Sequence, residues 1–136
     1  MANARLNLDK AVYDKLNVQA VTNVATGGVY NGLAPKGASA PYVIFQAMSK
    51  VDEHTFSGRF ANAVYMVKAV SRNPWPKEAM DVDTQVDTAL EDASLSVSGY
   101  SALLCRRESD VYMVEDDAGV IWHHVGGLYR IIADQT

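Results

Sequence analysis

The residues most able to do chemistry in this 136-residue chain are three histidines, one cysteine and a scatter of carboxylates. His123 and His124 are adjacent within VIWHHV, a run that reads as a strand. Successive strand residues point to opposite faces, so the two imidazoles are badly placed to share one metal ion. Asp116 and Asp117 belong to a turn, Asp116-Asp117-Ala118-Gly119, that lacks the ligand spacing of a calcium loop. Cys105 follows Leu103-Leu104 with no His or Asn beside it, the setting of a small buried residue and not of a nucleophile. A single cysteine also forms no internal disulfide, which agrees with a reducing cytoplasm. The sequence contains no GxSxG, GxxxxGK[ST] or HExxH. The expectation is therefore no enzyme, no cofactor and no metal. Trp75, Trp122 and the seven tyrosines are spread along apolar runs, as core aromatics are. Phe56 differs, because it stands with His54 and Thr55 on a polar stretch. It either anchors a contact from a loop tip or folds back onto a sheet.

Those residues must be positioned by a few elements. Leu6, Leu8, Val12, Tyr13 and Leu16 recur at near-helical spacing, and a shorter helix follows with Val18, Val21 and Val24. Residues 42–49 predict a strand, and Lys50 to Gly58 a polar loop between strands. Residues 60–72, FANAVYMVKAVSR, predict the longest strand. Phe60, Val64, Met66 and Val70 alternate with Ala61, Ala63, Tyr65, Val67 and Ala69, so both faces are apolar. A strand with one wet face should alternate more cleanly. Its second face needs a cover, either a helix of this chain or a neighbouring subunit. Asn73-Pro74-Trp75-Pro76 breaks the strand and opens a helix over about residues 77–93. That helix carries one apolar stripe and an acidic remainder, which is either a solvated face or a dock for a basic partner. Residues 101–115 form a strand with a bend expected at Arg106 to Asp110, and the last strand is split at Gly126-Gly127, where a second bulge is expected. The fold class is α+β: an antiparallel sheet of about four strands with helices packed on one face, in one domain spanning residues 1–136.

The stretch around which the rest is organised is residues 28–46, GVYNGLAPKGASAPYVIFQ. Glycine and asparagine accept positive φ, proline fixes φ, and Pro41 should open the strand Tyr42-Val43-Ile44-Phe45. The run GVYNGLAP, a gap of small residues and then PYVIFQ resembles the tail-completion or tail-terminator proteins of long-tailed bacteriophages. The likeness extends over nearly the whole chain in the order of its elements. It implies a ring, a hexamer in that family, that caps the tail tube, stops its polymerisation and joins it to the head connector. Implied partners are copies of the chain itself, the tail tube protein and a head-tail connector or stopper protein. The implied place is the tail or neck of a virion assembled in a host cytoplasm. Candidate interface residues on this reading are Asn31 and Lys36 in the organising loop, Asp52, His54, Thr55 and Phe56 in the next loop, and Tyr65 and Val67 on the long strand. A neck adaptor on the head side is the alternative within this class, and a small ligand-binding domain or enzyme is the alternative outside it.

Composition limits the partners further. Net charge is −4 and the pI about 5.2. A protein gripping nucleic acid needs a basic face for counterion release, and the sole basic doublet, Arg106-Arg107, is followed by Glu108. DNA passing through a ring of this protein would be repelled and not specifically bound. No run approaches the roughly 18 apolar residues of a membrane span, and the N-terminus lacks the apolar core of a secretory signal.

Overall fold

The computed structural model describes residues 4–55, 58–91, 96–97 and 99–135. Helix α1 (Ala4–Leu16) and the single turn α2 (Gln19–Thr22) precede β1 (Val29–Asn31), β2 (Tyr42–Thr55) and β3 (Gly58–Ser71). Helix α3 (Lys77–Leu90) then leads to β4 (Ser96–Val97), β5 (Tyr100–Asp117) and β6 (Val120–Gln135). The sheet has six strands in the order β1-β2-β3-β6-β5-β4. About four were expected. The two additional strands are three and two residues long, too short to carry a periodic signal. The sheet is not wholly antiparallel either, because β1 runs parallel to β2.

A larger correction concerns Lys50 to Gly58, expected as a loop. β2 continues to Thr55 and pairs with β3 as far as Thr55↔Gly58. Beyond Lys50, β2 is an edge strand whose Val51, Asp52 and Glu53 are all exposed, so nothing there demands apolar residues and the polar sequence resembles a loop. Gly126 and Gly127 are likewise regular: β6 keeps register with β3 through Lys68↔Gly126 and Val67↔Gly127. The irregularity lies across the ladder in β5, between Arg107 and Ser109, within the expected bend. The final turn matches expectation, with Ala118 and Gly119 at φ 53° and 85°, the pair of positive values a tight hairpin demands.

Odd-numbered β3 residues from Ala61 to Ala69 are buried and even-numbered ones from Phe60 to Lys68 are half-buried. The core joins Leu8, Val12 and Leu16 of α1 and Val82, Val86 and Leu90 of α3 to that odd-numbered face. Helices thus lie on one face, as expected. Two side-chain bonds fix α1: Tyr65 Oη donates to Asp9 Oδ1 at 2.5 Å, and Asn31 Nδ2 donates to Asp9 Oδ2 at 3.1 Å.

The organising loop is pinned where it meets the helical segment. Gly27 N donates to Pro41 O at 2.8 Å, and Tyr30 Oη donates to Gly27 O. A Cβ at Gly27 would fall 1.6 Å from Ser39 O, so no larger residue fits without moving the loop. Gly27→Ala should therefore cost about 1–3 kcal/mol in urea unfolding. Gly58→Ala, where a Cβ meets nothing within 4 Å, should stay within about 0.5 kcal/mol of wild type.

Candidate assembly interface

The structure disperses the chemistry-bearing residues. His123 and His124 face opposite sides of β6: His123 Nε2 donates to Pro74 O at 2.9 Å, and His124 Nε2 donates to Glu115 Oε1 at 2.6 Å. Cys105 is buried in the core. Among the described residues, no group of three or more His, Cys, Asp or Glu gathers to hold a metal. A concavity of about 880 Å³ forms a trough beside the start of α3, lined by Val24, Trp75, Met80 and Val82 with Glu78 and Asp81. No nucleophile faces a base there.

A different cluster went unnoticed in the sequence. Arg107 passes beneath α3, and its Nη1 and Nη2 donate to Asp83 Oδ1 and Oδ2 at 2.9 and 3.0 Å. Further bonds reach Asp110 Oδ1 at 2.9 Å, Gly126 O at 2.8 Å and Tyr129 Oη at 3.1 Å. Tyr129 Oη in turn donates to Asp87 Oδ1 at 2.8 Å. Burial acts most strongly on the guanidinium and favours proton loss, but the bonds to Asp83 and Tyr129 outweigh it, and the net shift is upward. Burial pushes the Tyr129 phenol up as well, so it stays protonated and can donate to Asp87. Gly127 is a glycine because a Cβ there would sit 2.5 Å from Arg107 Nε. The cluster clamps α3 to β5 and β6. It is structural, a bidentate pair with each side chain only 15% exposed.

The candidate contact residues divide three ways. Asn31 and Lys36 are exposed, at the end of β1 and in the loop after it. Asp52 is exposed on β2 and pairs with Lys50 at 2.5 Å. His54 and Thr55 end β2 opposite Arg59 and Gly58, and Phe56 lies outside the described residues. Tyr65 and Val67 require correction. They are 1% and 0% exposed under the helices, because the parity of β3 sends its odd residues inward. Tyr65 and Asn31 do meet, on Asp9, to hold α1 and not to present a surface. The uncovered face is instead the even-numbered set, where Phe60, Val64 and Met66 stand half-buried among Asn62 and Lys68, beside Leu128, Arg130 and Ile132 of β6. Its clue was the doubly apolar alternation of β3. Parity alone could not say which set the helices would take.

With that geometry in place, a family model described as tail completion protein gp17 matches residues 10–131. The chain belongs to this family. It is a structural protein of phage tail completion, located in the virion. A solved structure titled as the virion of a native gene transfer agent particle is similar at a TM-score of 0.83. The two share 16% identity over 98% of this chain and 99% of that one. A second solved structure is similar at a TM-score of 0.60, with 13% identity over 99% of this chain and 97% of that one. At these identities the likeness is one of fold. No curated protein sequence matches the chain.

The Arg107 cluster yields a stability test for this tail-completion protein. Arg107→Met should lower unfolding free energy by about 3 kcal/mol, because Asp83 is left buried without its partner. Arg107→Met combined with Asp83→Leu should recover most of that loss in the same urea titration.

Proposed function

We propose that this chain is a tail terminator: copies form a ring that caps the finished tail tube, stops its growth and presents a docking surface to the head connector. The observation that carries the reading is the match to the tail-completion family along residues 10–131, on a fold shared with a protein of a gene transfer agent virion. The geometry adds a reason. Three helices cover one face of the sheet, and the other is left with apolar residues half in water. A face of strands about 14 residues long spans roughly 45 Å, a broad surface suited to flat contact with another protein. Its occupant in this reading is the end of the tail tube. Growth then stops because the ring matches the last layer of tube subunits and offers no copy of the tube's own continuation surface. Passing DNA meets an acidic protein and is not held. The catalytic alternative has no cluster among the described residues to support it.

Particles made without this protein should carry overlong tails or tails unjoined to heads in electron micrographs. Tails of normal length that merely fail to join would move the protein to the head side as an adaptor, and normal joined particles would defeat both readings. Met66→Asp on the open face should change monomer stability by no more than about 0.5 kcal/mol. It should abolish co-sedimentation with tail-tube protein.

A further inference from the structure

Charge is divided unevenly along the chain. Residues 1–76 hold eight Lys and Arg against four Asp and Glu, whereas residues 77–136 hold four against twelve. The sheet order places these halves at different edges, with β1 and β2 at one and β5 and β4 at the other. Each edge carries an apolar patch, and the charges beside it follow this division except for exposed Asp14, one turn from Lys10 on α1.

At the β5 edge, the β5–β6 hairpin outruns the sheet. Strand β3 ends at Ser71, opposite His123, while β5 and β6 continue to their turn after Asp117. Tyr112 and Val114 are each 64% exposed on this arm, and Ile121 is 41% exposed on the same side. The bond from His123 to Pro74 O brings up the loop bearing Trp75, which is 75% exposed. Asp110 and Asp116 share the face of β5 that carries Tyr112 and Val114. A two-stranded ribbon with bare apolar side chains has little stability of its own in water, so a cover would be favoured.

At the β1 edge, Leu6, Lys10 and Tyr13 fall on one stripe of α1, at spacings of four and three. Leu6 is 67% exposed and Tyr13 is 38% exposed. Leu33, just after β1, is 87% exposed and shares its loop with exposed Lys36.

We infer that the acidic-rimmed arm of one copy docks on the basic-rimmed α1–β1 edge of the next copy. This rests on the terminator reading and names the contact that would close its ring. Both surfaces are apolar at the centre and opposite in charge at the rim, the arrangement that gives an interface affinity and orientation together. Strands β1 and β5 lie roughly 19 Å apart, over four strand spacings of one sheet. A neighbour that took both surfaces would close a two-fold dimer, whereas one that takes a single surface leaves the other open, so in a ring the contact is head-to-tail and propagates until it closes. It uses edges alone and leaves the broad open face free for the tube.

The test uses two variants of the full chain, an arm variant, Val114→Arg with Asp116→Lys, and an edge variant, Leu33→Glu with Lys36→Glu. All four positions are exposed, so each variant should unfold like wild type. In sedimentation at high concentration, and with tail-tube protein added, each variant alone should fail to form the ring that wild type forms. Mixed in equal amounts, they should form a dimer and nothing larger, because only one competent contact remains. An arm variant that still forms rings overturns the inference while leaving the terminator reading intact, and so does a mixture that stays monomeric. An arm variant that forms rings but no longer binds tail-tube protein assigns the arm to the tube instead. Wild type that forms no ring under either condition overturns the terminator reading itself.

Discussion

Everything in this molecule follows from a sheet larger than the helices available to cover it. Six strands, two of them 16 and 18 residues long, present two faces, and α1 and α3 can shield only one. On that face burial is nearly complete: Tyr65, Tyr129, Phe45 and Ile131 are all within 1% of full burial. On the other, Phe60, Val64 and Met66 remain half in water. A tail-completion protein has to leave surface for others, and leaving a sheet face uncovered is a direct way to do so.

Holding the covered face together falls to side chains as well as to area. Arg107 is bonded to Asp83, Asp110, Gly126 and Tyr129 at once, which leaves little of its guanidinium unpaired. The cost of burying this charge is met by a bidentate carboxylate and a carbonyl, the conditions under which a buried ion pair is tolerated. At the other end of the helical layer, Asp9 takes bonds from Tyr65 and Asn31. Two carboxylates on two helices, each gripping the sheet, set where the helical layer sits. The arm beyond Tyr112 is tied by the bonds of His123 to Pro74 O and of His124 to Glu115, and Tyr112, Val114 and Ile121 stand exposed on it.

Much of this was legible. The helices, the strand beginning after Pro41, the hairpin turn at Ala118-Gly119 and the separate fates of His123 and His124 all follow from local rules of φ and of alternation. The strand through Lys50 to Thr55 was not legible, since an edge strand with Val51, Asp52 and Glu53 all exposed has the composition of a loop. Short β1 and β4 gave no periodic signal at all. Gly126-Gly127 looked like a bulge because glycine in a strand has several causes. Here one is a guanidinium lying where a side chain would be.

The sequence by itself determined the α+β class, the order of the main elements and the want of any local catalytic motif, because each is written in spacing along the chain, and the run GVYNGLAP with PYVIFQ carried the resemblance to tail-completion proteins. Only the tertiary structure decided which face of β3 is covered, turning Tyr65 and Val67 inward and Val64 and Met66 outward. Alternation defines two faces without naming either. The choice is made by where α1 and α3 come to rest, through Asp9 and through Arg107 with Asp83, contacts between residues far apart in the chain.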